Sequence, residues 1–585
     1  MTATLSEAPT SGPIGGLWQR QLRHYPDTRP RIFYLSIVVL ATIMLYYELY
    51  IGGAVSPSII AGYGMTFPFY VYISVVGNAV GAFGSLAAGL GDRWGRANMV
   101  AYGLVITALL ALVGIPNATT KWEFLILSAA IGLVEGVILV ATPALVRDFS
   151  PQLGRASAMG FWTLGPVVGS LVVSIVSTNT VGHLHPWQDQ YIICGIVGLV
   201  IAVIALFGLR ELSPQMRDQL MVSLRDRALI EAKARGIDIT ESLKKPWKQM
   251  MRLDIIGSAF AIAVFLLIYY TAVGFFTVYF TTLHGYSLSR ANSIGNWFWA
   301  FDAGTLIIVG VISDRIRVRK PFMVVGAIGA IYATIVFLGL GSNTSYTTFV
   351  VWISLIAIFL AIAYAPWMAS FTETVESHNP ALTATGLAVW GWIIRAVIAI
   401  SIAILPAVVS SMTPLVTYGP QAQVYEAQYP AGFAALQQLD PTTAATLSKD
   451  PANAAAGLKA LQEVQAGLGV TSSVAIADLT QAQKIPAADL AFVQEHVAGP
   501  AAAAPGQWRN WWWVCVGGMI LFLPFVLIMK GEWSPRKARE EAAEHERRVA
   551  AELAALSSGD PAAVGSESGA VGGDSAAVAG GESQE

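Results

Sequence analysis

Long apolar stretches recur along almost the whole chain and alternate with short polar segments. Most of these stretches reach the roughly 20 residues that a helix needs to cross a bilayer. Their apolar positions are continuous, whereas the strands of a membrane barrel alternate over segments of about 10 residues. The pattern therefore predicts twelve membrane-spanning helices, here named spans 1 to 12, at residues 33–58, 68–90, 98–116, 122–146, 157–178, 189–209, 253–281, 290–312, 322–340, 347–370, 383–408 and 511–530.

The polar segments define the rest of the organisation. A basic loop follows span 6, and an alanine-rich segment separates spans 11 and 12. In the alanine-rich segment we expect short helices near 430–440, 452–467 and 487–497. The C-terminal tail is a charged helix and then a Gly- and Ser-rich stretch with the composition of a disordered segment. The predicted parts are an N-terminal tail (1–32), a first six-span half (33–209), a central loop (210–252), spans 7 to 11 (253–410), an insertion (411–508), span 12 (509–532) and a C-terminal tail (533–585).

Composition favours a membrane protein and disfavours several other classes. Hydrophobic residues make up 55% of the chain and charged residues only 12%, against roughly 25% charged in soluble domains. The net charge of −2 does not indicate a nucleic acid partner. The cysteines Cys194 and Cys515 lie in separate apolar stretches, so neither a disulfide framework nor a metal site is indicated. Without a nucleotide-binding loop or a nucleophile–base pair, we expect neither an enzyme nor a cofactor.

The basic residues set the expected orientation. Cytoplasmic loops of membrane proteins are enriched in Lys and Arg. If both termini face the cytoplasm, 28 of the 35 Lys and Arg residues lie on that side, 6 lie on the other, and one, Arg395, lies within a span. We therefore expect a multi-pass protein of the plasma membrane with both termini in the cytoplasm.

The two halves of the chain resemble each other. The two tyrosines before Glu48 in span 1 recur as Tyr269 and Tyr270 at the matching place in span 7. The Asp-Arg pair at 92–93, after span 2, recurs at 314–315, after span 8, at nearly the same offset along the chain. Two repeats that face each other across a midplane site are the architecture of transporters that work by rocking.

A loop sequence present in both halves resembles a known family motif. Residues 89–96, Gly-Leu-Gly-Asp-Arg-Trp-Gly-Arg, are similar to the motif G-x-L-x-D-R-x-G-R-R/K of the major facilitator superfamily. Ala88 stands at the first position of the motif, and Ala97 stands at its last. Residues 310–317 carry a second copy. The resemblance implies an all-α membrane protein with twelve helices in two six-helix repeats. The high Ala and Gly content is typical of a bacterial source. The resemblance also implies that the motif latches the cytoplasmic side shut in one transport state, through Asp92, Arg93, Gly95, Arg96, Asp314 and Arg315.

Span 5 contains Gly165, Pro166 and Gly169, which resemble the Gly-Pro motif of proton antiporters in this superfamily. Small residues let helices approach closely, and ordinary glycine packing is an equal alternative. The antiporter motif of span 4 is not matched, because Glu135 stands where that motif has glutamine and its arginine is missing. Span 4 therefore weakens an assignment to drug/proton antiport.

Four ionisable residues fall near the middle of predicted spans: Glu48 in span 1, Glu135 in span 4, Asp302 in span 8 and Arg395 in span 11. Each would cost roughly 2.5–3.5 kcal/mol if it faced lipid, so we expect all four to face the protein interior. Arg395 has three interpretations. It could bind a carboxylate or phosphate of a substrate, pair permanently with Asp302, or exchange Asp302 for the substrate.

Glu48 and Glu135 are the candidates for proton coupling. A carboxylate in a cavity of low dielectric favours its neutral form, so it can load and release a proton. The alternative is a hydrated or tyrosine-bonded carboxylate with no coupling role. Tyr47, Tyr269 and Tyr270 are further candidates for substrate binding, although aromatic packing also explains the last two.

The sequence favours a secondary transporter that moves a small organic anion or metabolite by alternating access, coupled to protons. One alternative within the same fold is efflux of drugs or hydrophobic metabolites. An alternative of another class is a receptor or scaffold that transports nothing and works through residues 411–508. The expected partners are lipid, the solute and protons, with no nucleic acid, cofactor or metal, and a protein partner of 411–508 stays open.

Overall fold

Twelve spans in two halves form the bundle, as the sequence predicts. The structure is a computed structural model, and it describes residues 18, 20–22, 24–85, 94–150, 164–183, 186–213, 216, 246–341, 343–379 and 382–557. Asp92 and Arg93 of the loop motif lie outside these residues. Among the described helices, eleven are long and apolar enough to cross a membrane, and the described part of span 5 is a shorter apolar helix.

The bounds of the spans follow from the described residues. Span 3 ends in a π turn and a 3₁₀ turn, and span 7 consists of two helices joined at Leu266. Three further helices lie next to spans: Ser56–Tyr63 after span 1, Pro246–Met250 before span 7 and Pro535–Ser557 after span 12. In order, spans 1 to 12 are Thr28–Ala54, Phe67–Ser85, Arg96–Leu109 with Leu110–Gly114 and Ile115–Asn117, Lys121–Phe149, Gly165–Thr180, Gln188–Gly208, Leu253–Phe265 with Leu267–Leu283, Leu288–Ile316, Lys320–Leu338, Tyr346–His378, Thr383–Val408 and Gly499–Ile528.

Two spans are longer than their apolar stretches. Span 12 begins at Gly499 and not near 511, because the alanines at 501–504 favour helix without needing lipid. Span 10 continues past 370 to His378 through polar residues. Hydropathy therefore predicts the part of a helix that lies in the membrane and misses the turns that extend beyond it.

Spans 2 and 4 cross at a glycine contact. Gly77 and Gly81 of span 2 face Gly132 and Gly136 of span 4. A methyl group added to Gly136 would overlap the carbonyl oxygen of Gly81, and one added to Gly132 would lie 2.8 Å from the carbonyl oxygen of Gly77. Small residues at this spacing let two backbones touch. The glycine contact therefore fixes the position of span 4, which carries Glu135.

We expect Gly136→Ala to destabilise the protein by about 1–3 kcal/mol, the usual cost of overpacking a tight contact. The added methyl group would clash with a backbone oxygen, which cannot move away by changing rotamer as a side chain can. Gly304→Ala in span 8 is the matched control, because its added methyl group meets nothing within 4 Å and alanine favours helix over glycine. The measurement is the melting temperature of both purified variants in one detergent. Equal stability would show that spans 2 and 4 do not touch in this way.

The two halves meet along a seam, where span 1 contacts span 7, span 5 contacts span 8 and span 2 contacts span 11. One apolar core runs through both halves. Because the chain crosses twelve times, the described segments before span 1 and after span 12 lie on one side of the bundle, here called the termini face. Residues 411–508 lie on the other side, the insertion face.

The N-terminal segment packs against the termini face. Gln21–Leu22 (β1) pairs in parallel with Glu211–Leu212 (β2), the one strand pair among the described residues. Arg20 is only 2% exposed, and its Nη1 donates a 3.2 Å hydrogen bond to the carbonyl oxygen of Ala205. Its guanidinium also lies 5.5 Å from the centroid of the Tyr102 ring. These contacts tie the N-terminal segment to spans 3 and 6.

The insertion forms a layer of short helices. Two small apolar clusters hold it together, one around Phe433 and one around Val464. The sequence predicts the helices Pro430–Leu436, Ala454–Leu468 and Ala487–Val493, and it misses three whose Thr, Ser and Gln residues give no long apolar stretch: Met412–Gln428, Pro441–Lys449 and Ser472–Gln483.

The first helix of the insertion lies across the seam. Met412–Gln428 contacts Ser56–Tyr63 and span 2 of the first half, and also span 12 of the second half. On its other side, the ring of Tyr418 stacks on that of His496, with centroids 4.4 Å apart. The insertion is therefore attached to the second half and touches the first.

Candidate functional site

Five tyrosines gather near the middle of the seam. Tyr46 and Tyr50 lie one turn apart on span 1, with ring centroids 5.4 Å apart. Across the seam, the centroids of Tyr269 and Tyr270 on span 7 are also 5.4 Å apart. Both are close enough to interact electrostatically with the two tyrosines of span 1, and Tyr364 of span 10 is close to Tyr46 and Tyr270. We name these five residues the tyrosine cluster; it joins the two halves.

Helical periodicity decides which tyrosines of span 1 face the seam. Residues four apart share one face of a helix, so Tyr46 and Tyr50 face the seam together. Tyr47, expected to bind substrate, is only 1% exposed and lies close to Cys194 of span 6, inside the first half. The repeated Tyr-Tyr pair does not act as a unit, because in span 1 the residue that faces the seam is Tyr46 and not Tyr47.

Two charged residues of the second half border the tyrosine cluster. Arg395 of span 11 is close enough to Tyr46 to interact electrostatically. Asp302 of span 8 is 4% exposed and lies close to Tyr269 and Tyr364. In the part of the chain that the structure describes, no ion pair joins Arg395 to Asp302. This conformation therefore does not contain the permanent Arg395–Asp302 pair, one of the three interpretations of Arg395.

Two carboxylates of the first half lie on the far side of Tyr46. Glu135 is 2% exposed, close to both Tyr46 and Tyr50, and without a hydrogen-bond partner among the described residues. Glu48 points away from the seam toward span 6, where a methyl group added to Gly198 would lie 2.6 Å from Glu48 Oε1. The two carboxylates interact electrostatically. Glu135 therefore borders the tyrosine cluster, and Glu48 lies behind it.

The glycines of span 5 allow span 1 to come close. A methyl group added to Gly165 would lie 2.5 Å from Thr42 Cγ2, and one added to Gly169 would lie 2.6 Å from Tyr46 Cβ. Pro166 occupies the first turn of the described helix, where its missing N–H costs no helical hydrogen bond. This close packing of spans 1 and 5 holds Tyr46 at the seam.

The described part of the first loop motif braces the termini face. Arg96 Nη1 donates to both carboxylate oxygens of Asp148, at the end of span 4, at 2.8 and 2.7 Å. The backbone N–H of Arg96 donates to Glu211 Oε2 at 2.6 Å. Gly95 has φ +88°, and a side chain there would overlap Glu211 Oε1, so only glycine fits. These contacts connect spans 3, 4 and 6 within the first half.

The second loop motif makes a similar brace in the second half. Arg319 forms ion pairs with Asp314, at 2.7 Å, and with Glu373 of span 10, at 3.1 Å. Asp314 thus pairs within its own half. Arg315 is exposed and forms no ion pair with another described residue. The described motif residues therefore stabilise the ends of spans in each half in this conformation.

Four members of these braces were not predicted from the sequence: Asp148, Glu211, Arg319 and Glu373. The repeat contains the signal that would have found all of them except Glu211. Arg319 follows Arg96, and Glu373 follows Asp148, at nearly the offset that relates the two copies of the loop motif. The repeat offset leads from Arg96 to Arg319. The acids at the ends of spans 4 and 10 then complete the two pairs, Arg96–Asp148 and Arg319–Glu373.

Hydrogen bonds close the seam near the insertion face. Ser289 Oγ donates to the carbonyl oxygen of Thr178 at 2.6 Å, and Asn296 Nδ2 donates to Thr178 Oγ1 at 3.2 Å. Asn292 Nδ2 donates to the carbonyl oxygen of Ala54 at 2.9 Å. These bonds join span 8 of the second half to spans 1 and 5 of the first half.

Two six-helix halves that meet at a polar cluster near mid-depth have the architecture of membrane proteins built from two repeats. The sequence profile of the Major Facilitator Superfamily matches residues 32–404, and the chain belongs to this family. The chain is therefore a multi-pass membrane protein that belongs to a family of transporters and not of enzymes, as the sequence predicts.

Curated relatives match about half of the chain. "Probable anion transporter 3, chloroplastic" of Oryza sativa subsp. japonica is 23% identical over 314 residues, which are 50% of this chain and 58% of that protein. The protein of the same description from Arabidopsis thaliana is 24% identical over 52% of this chain and 57% of its own length. "Multidrug resistance protein MdtL" of Klebsiella pneumoniae is 26% identical over 27% of this chain and 39% of that protein. The chain thus spans less than two thirds of each relative.

A solved structure has the same fold. A bacterial homologue of the human lysosomal transporter Spinster, in an inward-facing and unoccupied conformation, superposes with a TM-score of 0.51 at 16% identity. The match covers 86% of this chain and 99% of that chain. At this identity the likeness concerns the fold alone.

We expect a disulfide across the closed end of the seam to stop transport. In a Thr178→Cys/Ser289→Cys variant, oxidation should join spans 5 and 8, because the Ser289 side chain already contacts the backbone of Thr178. Flux through the reconstituted variant should fall roughly tenfold or more on oxidation and return on reduction, since a carrier that works by alternating access must open this end.

The controls for this disulfide are the two single-cysteine variants. Neither Thr178→Cys nor Ser289→Cys alone can join spans 5 and 8, and the native cysteines Cys194 and Cys515 are buried. Oxidation of these controls should leave the flux unchanged. Full flux through the oxidised seam variant would show that this end of the seam does not open during transport.

Proposed function

We propose that this protein carries a small organic anion across the plasma membrane by alternating access, coupled to protons. The observation that carries the proposal is the position of Arg395, beside Tyr46 and between the two halves. A guanidinium binds a carboxylate or phosphate through two parallel hydrogen bonds, and neighbouring phenols can add donors. Two relatives described as probable anion transporters support the same class of substrate.

Glu135 is the carboxylate best placed to carry the coupled proton. It borders the tyrosine cluster and has no hydrogen-bond partner among the described residues. An anion that binds at Arg395 would repel an ionised Glu135 across a region of low dielectric. Binding of the anion and protonation of Glu135 should therefore favour each other. Glu48, which interacts electrostatically with Glu135, can share this proton.

The termini face is proposed to be the cytoplasmic side of the plasma membrane. Its loops and tails carry 28 of the 35 Lys and Arg residues. On this side, the loop motif residues Asp92, Arg93, Asp314 and Arg315 are proposed to change partners between transport states. The braces at Arg96 and Arg319 then keep the ends of the spans in place while each half moves as a unit.

Uptake into proteoliposomes tests the proposed function. Labelled organic anions, neutral sugars and cationic drugs are compared with the purified protein under an imposed pH gradient. We expect at least one anion to accumulate when protons flow inward, and to lose its accumulation when a protonophore removes the gradient. Transport restricted to cations or lipophilic drugs would overturn the proposal and favour efflux.

Efflux of drugs or hydrophobic metabolites is the second candidate. Gly165, Pro166 and Gly169 resemble the motif of proton antiporters, and one relative is described as a multidrug resistance protein. That match covers only 27% of the chain, and span 4 carries Glu135 without the antiporter arginine. The family places this chain among transporters, so a receptor function of residues 411–508 would have to be additional to transport.

A further inference from the structure

A pocket lies in the seam between the tyrosine cluster and the insertion face. Spans 1, 5, 7 and 8 enclose it, and we name it the seam pocket. Asn292, which bonds the carbonyl oxygen of Ala54, belongs to its closed end. Its other polar lining residues are Tyr50, Ser170, Ser174, Thr277 and Trp299.

Several polar groups of the seam pocket are unsatisfied. Ser170 is 3% exposed, and its Oγ makes no hydrogen bond to any described residue. Within the described chain, the hydroxyls of Tyr50, Ser174 and Thr277 make none either. Buried hydroxyls are almost always hydrogen-bonded in proteins. Ser170 Oγ is the fully buried one of these four, and the other three line the same pocket, so a ligand or ordered water there can bond to all four.

Gly295 of span 8 keeps this space open. A methyl group added to Gly295 would overlap Ser174 Oγ and would lie 3.5 Å from Trp299 Nε1. The hydroxyl of Ser174 and the indole N–H of Trp299 therefore border the same space. Each could bond to one oxygen-bearing group placed between them.

The chemistry of the lining defines what fits. Asp, Glu, Lys, Arg and His are absent from the described residues that line the seam pocket. Hydroxyl groups both donate and accept hydrogen bonds, and the rings of Phe276, Phe298 and Trp299 provide flat apolar faces. The cavity volume is about 30 Å³, so in this conformation the pocket has room for a few hydroxyl-sized groups. The complementary ligand group is uncharged and carries several hydroxyls.

Tyr50 connects the seam pocket to the tyrosine cluster. It lines the pocket, and its ring also packs against that of Tyr46, which lies beside Arg395. Tyr46, Tyr50 and Ala54 follow one another on span 1 in steps of one turn, about 5.4 Å. The pocket therefore begins about one turn from the level of Arg395, a distance that a single small molecule can bridge.

We infer that the seam pocket binds hydroxyl groups of the substrate while Arg395 binds its carboxylate, so that the substrates are polyhydroxylated carboxylates of the sugar-acid type. The part of this inference that concerns the carboxylate at Arg395 rests on the proposed function. The hydroxylated end rests on the unsatisfied groups of the seam pocket alone.

Three probes separate the two ends of the substrate. Gluconate and hexanoate have the same charge and the same number of carbon atoms and differ in their hydroxyls, while glucose is hydroxylated and neutral. The melting temperature of the full-length protein is measured against the concentration of each, since a ligand of the folded state raises it. We expect gluconate to bind at least about tenfold more tightly than hexanoate or glucose, one step of about 1.4 kcal/mol in affinity.

Variants then test whether the preference for gluconate over hexanoate comes from the seam pocket. Ser170→Ala/Thr277→Val should weaken gluconate binding about tenfold and leave hexanoate binding unchanged. Ser354→Ala in span 10 is the matched control, because Ser354 is 6% exposed and its Oγ also lacks a partner among the described residues, but it lies outside the pocket.

The outcomes separate this inference from the proposed function. Equal affinity for gluconate and hexanoate, or a double variant that behaves like Ser354→Ala, would overturn the inference, with water filling the pocket, and leave anion transport intact. Glucose binding as tight as gluconate binding, and unchanged in Arg395→Gln, would overturn the proposed function together with the carboxylate end of the inference.

Discussion

Replacement of Arg395 by glutamine should remove the binding of an organic anion from a protein that still folds. Hydrogen bonds to a charged group contribute about 1.5–3 kcal/mol, so the affinity for the anion should fall roughly 10- to 150-fold. Glutamine keeps much of the side-chain length and some hydrogen-bonding capacity, so the loss reports the charge and the forked geometry of the guanidinium. The measurement is the anion-induced rise in melting temperature, which follows mass action.

Arg290→Gln is the matched control for the loss of one positive charge. The Arg290 guanidinium lies 4.8 Å from the ring centroid of Tyr286 and 5.1 Å from that of Tyr346, on the insertion side of the bundle. This variant should respond to the anion as the native protein does. Arg395→Lys should be intermediate, because it keeps the charge without the fork. If Arg395→Gln responds like the native protein, Arg395 is structural and the anion proposal loses its main support.

The twelve spans are predictable because lipid imposes a strict requirement. A helix that crosses a bilayer needs about 20 apolar residues, and that requirement is visible in the sequence without any knowledge of packing. The insertion is under no such requirement. Its helix Met412–Gln428 is held by the aromatic contacts of Tyr418 and by the ends of neighbouring spans. Those contacts exist only in the folded protein, so the sequence gives no signal for them.

The candidate site is predictable only in part, because burial alone does not tell which way a side chain faces. Glu48 and Glu135 both satisfy the rule that a charge within a span faces the interior. The interior of this bundle, however, has two regions. Glu135 borders the seam, while Glu48 lies within the first half beside Gly198. The contact of span 1 with span 5, made through Gly169 and Tyr46, sets this division.

The charged braces show how far the repeat can be used. Arg319 pairs with Asp314 in the loop motif and with Glu373 on another span. The loop motif predicts the partner Asp314, since Asp314 lies in the motif and Arg319 lies beside it. The second partner depends on where span 10 ends, and the apolar stretch of span 10 stops before Glu373. The Arg319–Glu373 pair is recognisable because its two residues match Arg96 and Asp148 at the repeat offset.

Replacement of Glu135 by glutamine should uncouple transport from protons without stopping it. Glutamine resembles the protonated carboxyl group in shape and charge, so the variant is fixed in the form that we propose to bind together with the anion. A one-to-one proton symport driven by one pH unit can accumulate an anion about tenfold. The variant should lose this accumulation in proteoliposomes and keep the exchange of labelled for unlabelled anion, at a rate that no longer depends on pH.

Glu48→Gln decides which of the two carboxylates carries the coupled proton. Because Glu48 lies behind the tyrosine cluster and meets Glu135 only through electrostatic interaction, its replacement should reduce accumulation less than that of Glu135. Loss of accumulation in Glu48→Gln but not in Glu135→Gln would move the proton site into the interior of the first half, beside Cys194, and would require a proton path there. Full accumulation in both variants would exclude both carboxylates as the coupling site and leave Asp302 as the buried carboxylate beside the cluster.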